Sequence, residues 1–254
     1  VFEHKFNMEV GDGDRKQLMS GTIDRVDICE NGTDVYVRII DYKTGKKDFN
    51  IVKTYYGIDI QLMVYMEAAM KLVAKMRPGK NVIPAGVFYY NISDPIVSAT
   101  TESAEEIEDK IKGELRLKGM VNSDKDIAEK MDNTEGTSLN IPVSRKADGG
   151  FDSRRSKVMN TEQFNMLGRF VDVRAVDTAD RIAGGDIRRS PYKDGQFSSC
   201  DRCPYGAVCG FSVDLPGCNY RKLKKFDDEV LWNNIEEGVD ENGKKMDTGA
   251  EERD

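Results

Sequence analysis

Two aspartates and one lysine are spaced so that they could hydrolyse a phosphodiester. Between Gly21 and Lys43 the chain reads Gly-Thr-Ile-Asp-Arg-Val-Asp-Ile-Cys-Glu-Asn-Gly-Thr-Asp-Val-Tyr-Val-Arg-Ile-Ile-Asp-Tyr-Lys. Asn31-Gly32, set between two β-rich runs, is a hairpin signal, because a type I′ turn needs left-handed backbone at both central positions. With those two residues at the turn, Glu30 faces Thr33, Ile28 faces Val35, Val26 faces Val37 and Asp24 faces Ile39. Side chains alternate along a strand, so Val26, Ile28, Val35, Val37 and Ile39 share a face with Asp24, Asp41 and Lys43. Asp24 and Asp41 are then diagonal neighbours, with Cβ atoms on the order of 7 Å apart. Carboxylates at that separation repel unless a cation lies between them. Mg²⁺ suits the place, since it takes carboxylate oxygens at roughly 2.1 Å and keeps several waters. A metal to supply hydroxide and a lysine to offset charge on a phosphate make up a hydrolytic set. The same pattern also describes a strand end whose charges simply meet water.

The elements that position these groups are read from periodicity. Val1 to Val10 alternates in part and reads as a first strand, and Gly11 to Asp14 as a turn. His4, in that strand, reads as a surface or satisfied histidine rather than a ligand. Thr54 to Arg77 reads as one helix: Ile58, Leu62, Tyr65, Ala69, Leu72 and Met76 recur at steps of four and three, and Pro78-Gly79 ends it. Gln61 and Tyr65 lie one turn apart on it and point the same way. Tyr65 alone would pass for a core aromatic, but an amide on an apolar face needs a polar partner. Ala85 to Ile92 reads as a buried strand closed by Asp94-Pro95. Strands, a helix and a further strand imply an α/β fold with a mixed sheet flanked by helices.

The three stretches together, Gly21-Thr-Ile-Asp24, Asp41-Tyr-Lys43-Thr-Gly and Gly57-Ile-Asp-Ile-Gln61-Leu-Met-Val-Tyr65, resemble the RecB-type branch of the PD-(D/E)XK nucleases. The resemblance implies the restriction-endonuclease-like fold. It implies that Asp24, Asp41 and the backbone carbonyl of Tyr42 bind Mg²⁺. Lys43 is then the catalytic lysine, and Gln61 and Tyr65 line the site from the helix.

The remaining chain divides by character. Residues 1–97 read as the nuclease core and 98–155 as an accessory helical insertion, with helices over Thr101 to Lys112 and, weakly, Asp124 to Glu135. A basic patch runs from Lys110 to Gly119; it suits DNA contact or a solvated helix face. Residues 156–225 read as a long helix, Asn160 to Ala183, followed by a cysteine segment; Asn160 and Gln163 cap the helix and Gly184-Gly185 stop it. Cys200, Cys203 and Cys209 form a C-x₂-C-x₅-C run, with Cys218 nearby; such crowding indicates soft-metal ligation, zinc or iron–sulfur. With this segment included, most of residues 1–225 looks like the C-terminal end of the AddB family, found in bacterial AddAB helicase–nucleases. That likeness implies a 4Fe–4S cluster held by Cys200, Cys203, Cys209 and one cysteine upstream of the nuclease core. Cys29, at the hairpin turn, does not suit that fourth place, and Cys218 lies outside the family pattern. With the fourth cysteine missing, residues from about Ser190 to Cys218 are expected to be poorly ordered or held by other contacts.

The charge is uneven. The chain carries 45 acidic and 38 basic residues, but the acidic excess sits in the tail 226–254, which has 11 acidic and 3 basic residues. The body is near neutral, so the overall balance does not decide against nucleic acid. No apolar run is long enough to span a bilayer, and no Walker A motif is present. A single histidine excludes a multi-histidine metal site. The start at Val1, without methionine, suggests a piece of a longer chain. The resemblance implies a cytoplasmic bacterial enzyme: a Mg²⁺-dependent DNA exonuclease domain, working with an AddA-like helicase–nuclease partner in double-strand-break repair by recombination. Two alternatives are an iron–sulfur exonuclease of the CRISPR-adaptation type and a non-catalytic DNA-binding scaffold. The insertion and long C-terminal helix argue against the first, and the intact Asp24, Asp41 and Lys43 against the second.

Overall fold

The computed structural model describes residues 1–10, 17–97 and 103–239. The turn expected at Gly11 to Asp14 lies outside them, as do the start of the insertion and the end of the acidic tail.

A six-stranded mixed sheet runs in the order β1 (Phe2–Val10), β2 (Gln17–Asn31), β3 (Asp34–Lys43), β4 (Asn81–Asn91), β5 (Lys118–Asn122), β6 (Val158–Met159). The β1–β2, β2–β3 and β4–β5 pairs are antiparallel; β3–β4 and β5–β6 are parallel. Parallel neighbours need a crossover, and the β3–β4 crossover carries α1 (Ile51–Tyr55) and α2 (Gln61–Met76). This is the expected α/β architecture with the PD-(D/E)XK arrangement.

The β2–β3 hairpin forms with a corrected register. Asn31 pairs with Asp34, Ile28 with Val37 and Val26 with Ile39, so Gly32 and Thr33 are the turn residues, two places along in pairing from the expectation. Only Gly32 takes positive φ (63°), the requirement of a type II′ rather than a type I′ turn. A shift of two preserves parity, so the apolar face survives: Val26, Val35, Val37 and Ile39 are all buried. The ladder ends at Arg25–Ile40, one residue short of Asp24 and Asp41, and beyond it the Asp24 side chain accepts the Tyr42 N–H.

The single helix expected over Thr54 to Arg77 is two. At the end of α1 the Gly57 N–H bonds the Thr54 carbonyl and the Ile58 N–H bonds that of Lys53, each at 2.9 Å. Gly57 is left-handed (φ 72°). That is a Schellman stop, which glycine adopts without a Cβ penalty.

The main core lies on one face of the sheet. There Leu62, Met63, Met66, Ala69 and Val73 of α2 and Phe164, Leu167, Phe170 and Val171 of the long helix cover Val35, Val37, Ile39 and Val87. On the other face Ile40, Phe88 and Val121 pack under Ala128, Ile141 and Val143. The stretch read as an insertion holds α3 (Ala104–Leu115) and α4 (Lys125–Met131), and it also supplies β5 to the central sheet. Buried Asn122 fastens β5 by donating to the Pro84 carbonyl at 2.7 Å and the Thr161 hydroxyl at 2.8 Å. The long helix α5 (Thr161–Ala183) starts at the Asn160–Gln163 capping box and stops at Gly184. Beyond it come β7 (Tyr192–Asp194), β8 (Phe197–Ser198), the short α6 (Gly206–Cys209) and β9 (Arg221–Lys222). The described part of the tail forms α7 (Asp228–Glu237), which buries Leu231 and Ile235 in the main core, with Trp232 packed beside them.

Candidate active site

The middle of β2, the end of β3 and the first turn of α2 bring together the expected side chains. Asp41 is 2% exposed. Lys43, two residues on and on the same face, forms an ion pair with Asp41 Oδ2. Gln61 finds the polar partners that its position on an apolar face demands: its amide Nε2 donates to Asp41 Oδ1 at 3.3 Å and to the Tyr65 hydroxyl at 2.9 Å. Tyr65 is steadied in turn by Phe6, edge to face at 5.7 Å. Asp24 is held from the neighbouring strand, where its Oδ2 accepts the Tyr42 backbone N–H at 2.8 Å.

The electrostatics favour a cation here. Burial pushes the Asp41 carboxyl above the usual carboxylate range; Lys43 pulls it down, the Asp24 charge adds to the rise and Lys47 opposes it. Asp41 Oδ2 is buried, and the Lys43 ammonium lies against it in ion-pair geometry. A buried carboxylate with a second carboxylate close enough to raise its pKa fits the donor set of a hard divalent cation.

A neighbouring cluster was not foreseen. Asp59, 5% exposed, accepts the Tyr89 hydroxyl at 2.8 Å and pairs with Lys47 Nζ at 3.1 Å. The Tyr89 ring has two ammonium groups near it, Lys43 at 5.7 Å and Lys47 at 5.5 Å from its centroid. Asn91 clamps the Lys47 backbone through two hydrogen bonds of 3.0 Å each. Burial holds the Tyr89 hydroxyl protonated, its pKa pushed well above the ordinary value, with Asp59 adding to the rise. The usable signal was Gly57: read as a helix stop, it would have released Asp59 from an assumed continuous helix.

His4 pairs with Ile23 across β1–β2, and Cys29 with Tyr36 across β2–β3. Cys203 is exposed, Cys200 and Cys209 are half-buried and Cys218 is buried. Among the described residues no three His, Cys, Asp or Glu side chains converge as a metal would require. The cysteine segment as folded here therefore does not fit a cluster. Its described contacts are ordinary polar and aromatic ones. Asp201 accepts from the Ser198 N–H and hydroxyl at 2.8 and 2.7 Å, Arg189 reaches the Gly210 carbonyl at 3.2 Å, and Phe211 packs on Tyr220 at 4.9 Å.

Comparison with known proteins agrees with this geometry. Residues 1–210 match the PD-(D/E)XK nuclease superfamily. The chain is 37% identical over 229 residues to the B subunit of the ATP-dependent helicase/deoxyribonuclease of Thermoanaerobacter sp. (strain X514), covering 89% of this chain and 20% of that one. It is 39% identical over 233 residues to the corresponding protein of Caldanaerobacter subterraneus, covering 91% and 20%. The chain thus spans about a fifth of the length of these curated relatives. With most of its length matched, and with Asp24, Asp41 and Lys43 gathered at one end of a mixed sheet, the chain belongs to the PD-(D/E)XK nuclease superfamily.

Proposed function

We propose that this chain is the Mg²⁺-dependent DNA nuclease unit of a helicase–nuclease, cutting one strand exonucleolytically during double-strand-break repair by recombination. The observation that carries the reading is Asp41: a buried carboxylate paired with Lys43 and held by Gln61, with the Asp24 charge close by. Asp24, Asp41 and the Tyr42 carbonyl would hold the metal, which when bound polarises the phosphate and lowers the pKa of water. The protein's own part is positional. The Tyr42 N–H fixes Asp24. Gln61, braced by Tyr65, fixes Asp41. Lys43 places an ammonium beside the carboxylates, where charge on a phosphate would be offset. The relatives are named as B subunits of an ATP-dependent helicase/deoxyribonuclease, which supports an AddA-like partner and a DNA substrate. No helix of the described residues is long and apolar enough to cross a membrane, and a cytoplasmic bacterial setting follows from the same reading. The 4Fe–4S cluster belongs to this proposal only through the family resemblance of Cys200, Cys203 and Cys209, and no step depends on it.

The test is Asp41→Ala assayed on single-stranded DNA with Mg²⁺. Cleavage should disappear while circular dichroism and melting remain those of a folded protein. Cleavage retained by a clean preparation would remove the proposal.

A further inference from the structure

Behind the candidate site, on the opposite face of the sheet, lies a groove of about 650 Å³. Arg25, Arg38, Lys112 and Arg116 line it together with Tyr42 and Tyr90, and its lining contains no aspartate or glutamate. The two tyrosines meet edge to face at 5.7 Å, and both stay partly exposed. Arg25 and Arg38 bond the one carboxylate of Asp27, each at 2.8 Å, so the three groups leave a net positive charge. Lys112 pairs with Glu108 at 2.8 Å on the helix surface, where water weakens the pair. Arg116 donates through Nη1 to the neutral Ser138 carbonyl at 3.2 Å, and its buried Nε has no hydrogen-bond partner. The groove therefore combines surplus positive charge and two aromatic rings.

Its position matters as much as its lining. Tyr42 follows Asp41 in β3, and strand alternation sends the two side chains to opposite faces. One peptide thus connects groove and site: its N–H holds Asp24, and its side chain walls the groove.

We propose that this groove binds single-stranded DNA next to the segment being cut, with bases stacked on Tyr42 and Tyr90 and phosphates against Arg25, Lys112 and Arg116. The proposal rests on the nuclease reading and adds a strand path to it. Unpaired bases can reach a tyrosine face, whereas a duplex keeps its base faces stacked inside. Cation-lined channels with aromatic platforms are the general solution for holding a single strand without regard to sequence.

The experiment measures anisotropy of a fluorescent oligo(dT) with the full chain in EDTA, and Mg²⁺-dependent cleavage of a long oligonucleotide and of a trinucleotide. Tyr90→Ala should weaken oligo(dT) binding about 5- to 160-fold, the range for loss of one stacked base, and Tyr90→Phe should restore it. Arg116→Gln should lower the salt slope of binding by about 0.7, as for one lost phosphate contact. Both should raise KM for the long substrate and leave trinucleotide cleavage unchanged. Unchanged oligo(dT) binding by Tyr90→Ala and Arg116→Gln would overturn the proposal. So would equal losses in Tyr90→Ala and Tyr90→Phe, or an equal loss of binding to a blunt hairpin duplex. Asp41→Ala separates the two readings: persistent cleavage there sinks the nuclease assignment, whatever the groove variants do.

Discussion

Asp132 is expected to govern the loop that walls the groove, and the size of its effect can be worked out. It is 7% exposed, and its carboxylate accepts the Thr134 N–H at 2.7 Å, the Ser138 hydroxyl at 2.7 Å and the Asn140 amide at 2.8 Å. Ser138 in turn accepts the Asn140 and Ile141 N–H groups at 3.0 Å each, which seats Ile141 and Val143 in the second core. Burial pushes the Asp132 pKa up, but the hydrogen bonds from Thr134, Ser138 and Asn140 outweigh it and hold it at about 2, against an ordinary value of 3.8. At about 1.36 kcal/mol per unit, that difference is roughly 2–3 kcal/mol in favour of the folded, ionised state. Because the folded pKa is depressed, the stabilisation is complete above the unfolded value of 3.8 and is lost as pH falls through about 2. Asp132→Ala should therefore lower stability near neutral pH by about 2–3 kcal/mol, seen as a fall in melting temperature of about 4–12 °C in a chain of this size. Urea unfolding of wild type and Asp132→Asn should converge as the pH drops from 4 towards 2. A loss under about 1 kcal/mol, or a difference that does not change with pH, would refute the reasoning.

Two further perturbations probe the scaffold of the site. A Cβ added at Gly21 would lie 2.7 Å from Phe6 Cε1 and 3.4 Å from Tyr65 Cε1. Gly21→Ala should thus displace Phe6, loosen Tyr65 and reduce kcat, at an overpacking cost of about 1–3 kcal/mol; Phe6→Leu in the same chain should recover activity, and no recovery would show that the clash acts elsewhere. Asp59→Ala strands the buried Tyr89 hydroxyl and should cost about 1–3 kcal/mol, while adding Tyr89→Phe should return part of it, because removing both partners is cheaper than removing one. Strict additivity in a double-mutant cycle would refute that coupling.

Strand parity carries most of what was legible in the chain. The alternation from Val26 to Ile39 fixes which residues are buried, and the same parity in β3 brings Asp41 and Lys43 together. Register was not legible to the same degree, since Asn31-Gly32 and Gly32-Thr33 are both acceptable two-residue loops and differ by a parity-preserving shift. Gln61 was legible because an amide on an apolar face demands a partner. Lys47 and Asp59 were not, because their meeting depends on the chain reversing at Gly57, and periodicity on either side of that residue looks continuous. The strand Lys118–Asn122 was hidden by its basic flank; its burial comes from β4 and β6, neighbours distant in sequence.

The break at Gly57 also has an electrostatic consequence. Had the helix run unbroken from Thr54, its amino end would lie nearly two turns before Gln61. Instead α2 begins at Gln61, with no side-chain cap and no acidic residue in its first turn. The aligned peptide dipoles of this helix therefore end within one glutamine side chain of Asp41. The partial positive charge there, about half an elementary charge, favours negative charge by about 0.3–1 kcal/mol. A glycine chosen for its backbone thus sets part of the field in which the buried carboxylate ionises.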